Sequence, residues 1–317
     1  MAIKNTKVAI VGTGLVGSST AFSLVTQGVC DEVLMTDINM ERAIGEAMDL
    51  NHSIEYLNRN VKVRAANYSE YGDVDIVVIT AGAPPKAGQS RLDTLGMTAD
   101  IVKSIVDPIM KSGFKGYFIV VSNPADIIAY YVYKLSGLPK NHVLSTGTSI
   151  DTARLKNFIA ELVDVDPRSV QGYSMGEHGD SQMVPWSHIT VGGKSFLKVL
   201  EDNKKRFPEV DLNNLVKNTA EAGWEVYKRK GTTYYAIASA TVGIIKAILN
   251  NENKIIPVST LLEGEYGVNG IFAGVPAILN SHGVKEVVEI HLTDEEKKEF
   301  EKSIDIIKEY VEKLEKR

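Results

Sequence analysis

The sequence predicts an α/β protein: a doubly wound parallel sheet followed by a second domain of mixed α+β character. Three observations carry this. The apolar run Lys7–Val11 breaks into glycines spaced G-x-G-x-x-G (Gly12, Gly14, Gly17) and continues as a helix-like stretch. Apolar runs of strand length then alternate with helical patterns as far as residue 146. From residue 147 longer helices mix with hairpin-like strands, so the domains are placed at 1–146 and 147–317.

In chain order, residues 18–27 form a helix with apolar Ala21, Phe22, Leu24 and Val25, which Gly28 stops. A second strand over 32–37 ends in Asp37, and a helix over 41–50 and a third strand over 61–65 follow. Residues 73–80 are almost uniformly apolar, as suits a strand covered on both faces. Helices over 98–111 and 127–135 alternate with strands over 117–121 and 143–146, giving about six parallel strands. In the second half, helices are expected over 151–162, 212–228 and 233–249. Residues 186–191 and 194–199 read as a hairpin around Gly192-Gly193, residues 255–290 as strand-rich, and a capping box at Thr293 opens an amphipathic last helix.

The chain has 317 residues, 44% hydrophobic, ample for a large core, and a formal net charge of -5 with no long basic run. Neither nucleic acid nor a membrane surface is indicated as a partner. Cys30 is the only cysteine, which excludes an intramolecular disulfide and a multi-cysteine metal site and fits a reducing compartment. The histidines lack close ligand spacing, so no metal is expected. The first residues are too weakly apolar for a signal peptide and no later run reaches spanning length, so a cytoplasmic protein is expected.

Each glycine of the motif has a physical task. Gly12 lets the chain turn, Gly14 lets a pyrophosphate approach the backbone, and Gly17 lets the helix pack on the strand. Asp37, twenty residues after Gly17, is placed to accept hydrogen bonds from ribose hydroxyls. A 2′-phosphate would meet its charge, so NAD is expected over NADP. A glycine-rich turn beside a surface acid is the plainer alternative.

Four islands of functional residue types follow: residues 84–93 (PPKAGQSRLD), 122–124 (SNP), 149–154 (SIDTAR) and 176–180 (GEHGD). Together they resemble the L-lactate and malate dehydrogenase family over essentially the whole chain. Arg91-Leu92-Asp93 and residues 231–235 (GTTYY) look more like the lactate branch. The resemblance implies a Rossmann domain, NAD as cofactor, a homotetramer or dimer, and cofactor contacts at Leu15, Val16, Thr80, Ala81, Gly82 and Asn123 besides the motif.

Reducing a 2-oxo acid requires a proton donor, a charge to steady it, a carboxylate anchor and a cation near the carbonyl oxygen. His178 can donate and accept near neutrality. Asp151 would hold its other ring nitrogen. Arg154, three residues on, shares its helix face and has the planar fork that grips a carboxylate. Arg91, in a segment that reads as a mobile loop, would close over the substrate and polarise the carbonyl. Asn123 and Thr233 match family positions that bond substrate or nicotinamide. Singly, each has a plain alternative as a loop histidine, a surface charge or a helix ion pair; behind a nucleotide motif they point to one site. The remaining histidines read as structural or surface, and Trp186 and Trp224 as packing residues.

Two departures from the lactate dehydrogenase pattern bear on substrate. At the specificity position, six before Arg91, stands Pro85, where glutamine marks lactate and arginine marks malate dehydrogenases. Proline offers no donor, so a second carboxylate would be buried unpaired. Gly223 stands in a pocket-bordering helix where alanine is usual, at a cost of about 0.5–1 kcal/mol. It either makes room for larger substrates, is a tolerated helix defect, or permits close helix packing. Where allosteric relatives bind fructose 1,6-bisphosphate through arginine and histidine, this chain has Lys156 and Gln171, so activation by that effector is not expected. The expected activity is NAD-dependent reduction of pyruvate and larger apolar 2-oxo acids to L-2-hydroxy acids. A 2-hydroxyisocaproate-type enzyme, a malate dehydrogenase and a catalytically silent dinucleotide-binding regulator are the alternatives.

Overall fold

The computed structural model describes residues 5–83 and 91–317; Pro85 lies outside them. Strand β1 (Lys7–Val11) leads into α1 (Leu15–Gln27), followed by β2 (Glu32–Thr36), α2 (Met40–Ser53), β3 (Lys62–Ala65) and β4 (Ile76–Ile79). Next come α3 (Arg91–Lys111), β5 (Tyr117–Val120), α4 (Ala125–Ser136) and β6 (Val143–Ser145). The second half contains α5 (Ser149–Val163), β7 (Val170–Gln171), β8 (Thr190–Val191), β9 (Lys194–Ser195), α6 (Phe196–Asp202), α7 (Leu212–Lys230) and α8 (Tyr235–Leu249). It closes with β10 (Lys254–Glu263), β11 (Asn269–Asn280), β12 (Gly283–Val287) and α9 (Asp294–Glu315).

Among the described residues one sheet has nine strands in the order β12-β11-β10-β6-β5-β4-β1-β2-β3. The six parallel strands are those expected. Three antiparallel strands from the second half extend the same sheet, with Ser259 of β10 paired to Ser145 of β6. Period-two alternation sorts the core onto two faces. Ala9, Val11, Val77 and Ile79 face one way against α3, α4 and α9, and Val8, Ile10, Ile76 and Val78 face the other against α1, α2 and α8. A separate cluster around Leu155, Ile159 and Phe196 packs α5 against the small sheet β7-β8-β9.

Several boundaries differ from the sequence reading. The helix expected from residue 98 already begins at Arg91, so the segment read as a loop through Arg91 ends in a helix N-terminus. Gly192 and Gly193 both have positive φ, 56° and 84°, as the expected turn requires. The hairpin arms are only two residues each, because Phe196 is fully buried and opens a helix instead. Trp186 packs against Phe196. Trp224 meets the Tyr227 ring edge-on and stays 41% exposed.

Candidate active site

Strand order reverses between β1 and β4, so the carboxyl ends of these neighbours open a crevice of the kind that binds nucleotides in doubly wound sheets. Gly12 ends β1 with φ +97°. A Cβ on Gly17 would lie 1.9 Å from the Gly12 carbonyl oxygen, so glycine lets α1 sit directly on the turn. A Cβ on Gly14 would meet no described heavy atom within 4 Å, which leaves that backbone open where α1 presents its first N–H groups, including those of Leu15 and Val16. Thr80 donates its hydroxyl to the Gly12 carbonyl at 2.7 Å, tying the end of β4 to that of β1, and Ser122 donates to the Ala81 carbonyl at 2.6 Å, tying β5 to β4. Gly82 and Asn123 are exposed beside them.

Asp37 accepts from the Thr13 N–H at 2.7 Å and from the Asn39 N–H at 2.9 Å. Burial opposes its ionisation. The Asn39 and Thr13 N–H groups, the Thr13 hydroxyl and the charge of Arg42 outweigh that, holding the carboxyl below the usual carboxylate range. An oriented carboxylate and an open glycine backbone at one crevice fit a dinucleotide with free ribose hydroxyls.

The second half places its functional groups on α5 and on the turn around His178. Asp151 stands in the first turn of α5, where a negative charge is favoured, and is 1% exposed. Its two oxygens are divided: Oδ2 lies 2.6 Å from His178 Nδ1, and Oδ1 accepts from Arg154 Nη1 at 3.1 Å. An ionised Asp151 makes Nδ1 the protonated nitrogen of a neutral His178 ring. Gly176 and Gly274 exchange backbone hydrogen bonds at 2.9 and 2.8 Å, and a Cβ on Gly176, at φ +90°, would run into the Ser303 hydroxyl of α9. The Ser303 oxygen accepts from the Glu177 N–H at 2.8 Å, and Glu177 in turn accepts from the Ser181 hydroxyl at 2.6 Å. The turn is thus held by β11 and α9 as well as by Asp151.

His178, Asp151 and Arg154 are therefore brought together. Gly223 of α7 faces Arg154, and a Cβ there would lie 3.0 Å from Nη2. The space that its missing side chain leaves adjoins the guanidinium, a placement the sequence did not reveal. Thr233 is half-buried in the connection between α7 and α8, beside Tyr234, over whose ring Lys230 sits at 3.4 Å. Arg91 opens α3. Among the described residues no group of three or more His, Cys, Asp and Glu is placed to hold a metal.

One residue was missed in the sequence. Asp126, in the first turn of α4 three residues after Asn123, accepts from the His178 backbone N–H at 2.8 Å. Its signal was an acid leading the apolar run Ile127 to Tyr130.

The chain matches the lactate/malate dehydrogenase NAD binding domain over residues 6–145 and the lactate/malate dehydrogenase alpha/beta C-terminal domain over 148–317. It is 56% identical to "L-lactate dehydrogenase 3" of Bacillus anthracis over 305 residues, 96% of each chain. A crystal structure of a minor L-lactate dehydrogenase from Enterococcus mundtii, with ligands bound, superposes with a TM-score of 0.94 at 44% identity, covering 98% of both chains. Cryptosporidium parvum malate dehydrogenase gives 0.92 at 32% identity, covering 99% of this chain and all of that one. The shared fold spans both branches. With its N-terminal Rossmann domain for NAD and its mixed α/β C-terminal domain, the chain belongs to the lactate/malate dehydrogenase family.

Proposed function

We propose that the protein interconverts 2-oxo acids and L-2-hydroxy acids with NAD, with pyruvate and larger apolar 2-oxo acids as its substrates. The observation that carries this is Asp151, whose two oxygens are divided between an imidazole and a guanidinium. Such a pairing sets a proton donor beside a carboxylate anchor. His178, protonated, gives its Nε2 proton to the carbonyl oxygen, and Asp151 stabilises the imidazolium before that transfer. In the reverse direction the neutral ring takes the hydroxyl proton. Bound nicotinamide supplies or accepts the hydride at the substrate carbon. Arg154 grips the carboxylate with its fork, Asn123 and Thr233 hydrogen-bond the substrate, and Arg91 polarises the carbonyl and helps exclude water.

Pro85 supports the preference for substrates without a second carboxylate. Relatives named L-lactate dehydrogenase support the same branch. The test is NADH consumption by the purified protein with pyruvate, 2-oxoisocaproate, phenylpyruvate and oxaloacetate. Pyruvate and at least one larger apolar acid are expected to turn over well and oxaloacetate worst; preference for oxaloacetate would assign the protein to the malate branch.

Three further readings belong with this one. The domains divide at 146/147, between the end of β6 and the start of α5. The protein works as a homo-oligomer, a tetramer or dimer, supported by exposed apolar side chains in pairs on helix faces: Ile44 with Met48 on α2, and Trp224 with Tyr227 on α7. It acts in the cytoplasm without fructose 1,6-bisphosphate. Burial holds the Lys156 ammonium below the usual lysine range, and Gln171 is exposed and donates to the Arg168 carbonyl. A lysine in place of the arginine fork and a neutral amide in place of the imidazole make a poor phosphate site.

A further inference from the structure

Asp126 is the buried charge that this chemistry leaves without a task. Its Oδ2 holds the His178 N–H, but its Oδ1 has no hydrogen-bond partner among the described residues. The buried hydroxyls of Thr148 and Ser259 have none either. All three atoms belong to one region beneath the turn that carries His178. Ser259 of β10 pairs with Gly274 of β11, Gly274 is bridged to Gly176, and a Cβ on Gly274 would lie 2.6 Å from the Thr148 hydroxyl. Holding one backbone N–H requires only a neutral acceptor, whereas a buried carboxylate with an unsatisfied oxygen is expensive to keep.

We propose that Asp126 is a positioning residue for the reaction: it fixes the turn carrying His178 through the backbone N–H and, as a second buried carboxylate, favours the protonated imidazole. This rests on His178 being the acid/base group. Burial pushes the Asp126 carboxyl up to about 6, against the pull of the Ser259 hydroxyl, the His178 N–H and the His178 charge; the charge of Glu177 adds to the push. The Ser259 hydroxyl lies close enough to favour the ionised form, although its geometry falls short of a hydrogen bond. The groups facing Asp126 are thus His178 and Glu177 from the turn, with Ser259 from β10. Thr148 closes the region at the start of α5, and Asp151 of α5 acts on the other side of the coupling through the imidazole itself. Coupling is reciprocal: the positive ring that favours an ionised Asp126 is itself favoured by it.

The test is Asp126→Asn, which keeps an acceptor for the His178 N–H and removes the charge. The pH dependence of kcat/KM for pyruvate reduction is measured alongside NADH affinity by fluorescence. NADH affinity is expected to be unchanged, while the alkaline limb, set by loss of the imidazolium, moves down by about one pH unit. Activity on that limb falls about tenfold. A limb that coincides with the native one overturns the proposal. If the variant does not fold, the aspartate carboxyl signal is titrated by carbon NMR in native enzyme and in His178→Asn. Loss of the positive partner should raise the pH at which Asp126 titrates, and an unchanged titration overturns the coupling. Retained turnover in His178→Asn would defeat the acid/base reading itself, whereas an inactive His178→Asn beside an unshifted Asp126→Asn defeats only the role of Asp126.

Discussion

Asp37 is held by three donors: the Thr13 N–H and hydroxyl, which reach it because the chain turns at Gly12 back toward β2, and the Asn39 N–H two residues on. They keep its charge present throughout the neutral range, where a 2′-phosphate would meet it. Asp37→Ser should therefore raise the NADPH to NADH ratio of kcat/KM by about tenfold or more, the scale of one charged hydrogen bond. Equal use of both cofactors by the native enzyme would contradict this. Gly223 yields a different expectation now that it faces Arg154. The methyl of Gly223→Ala presses the guanidinium by a few tenths of an ångström. KM should rise a few-fold for pyruvate as well as for larger acids; a penalty confined to the larger acids would place the methyl in the distal pocket instead. Asp126 also shapes stability. Its folded value of about 6 lies above the unfolded one, so its contribution is full below about pH 4 and lost as pH rises through 6. Asp126→Asn should thus raise the melting temperature at neutral pH relative to the native protein, by up to about 3 kcal/mol in stability, and gain little near pH 4. An equal gain at both pH values would show that the charge does not matter to folding.

Whether an element was legible in the sequence depended on whether its pattern was locally sufficient. The turn from β1 into α1 was readable because each glycine answers a constraint within a few residues. Gly17→Ala should displace α1, since no rotamer can relieve a 1.9 Å approach to a backbone oxygen. Overpacking of that kind costs about 1–3 kcal/mol, so a lower melting temperature and weaker NADH binding are expected; calorimetry and fluorescence titration decide, and unchanged values for both would contradict close packing there. The first turns of α3 were not readable. Thr94 and Thr98 lie on its buried face beside Leu95, Ala99 and Val102, so the apolar stripe that marks a helix is interrupted where the helix begins. The start of α6 misled for the opposite reason. Phe196, Val199 and Leu200 satisfy helical spacing, yet after a Gly-Gly turn their apolar run also reads as the returning arm of a hairpin.

At the scale of the whole molecule, the sequence conveyed a parallel sheet but not its continuation. Ser145 and Ser259 are small, polar and 114 residues apart, and nothing local to either announces that β10 docks antiparallel onto the edge of β6. Asp126 was hidden by the same long-range folding, because its meaning lies in a bond to a residue 52 positions away. Two of the motif islands meet at Asp151, Arg154 and His178 because residue type and spacing mark each one locally and the fold only has to bring them together, whereas the island that begins at residue 84 lies largely outside the described residues. If the proposed association uses the exposed apolar pairs on α2 and α7, sedimentation should find a species larger than the 34.7 kDa chain, and a stable monomer would contradict it. The central claim, that one imidazole held by Asp151 moves the proton of a 2-oxo acid reduction, is tested most directly by the turnover of His178→Asn with pyruvate and NADH. Positioned proton transfer contributes about a hundred- to ten-thousand-fold, so turnover should fall by that factor while NADH affinity stays native. Pyruvate reduction by this variant at close to the native rate would contradict the account.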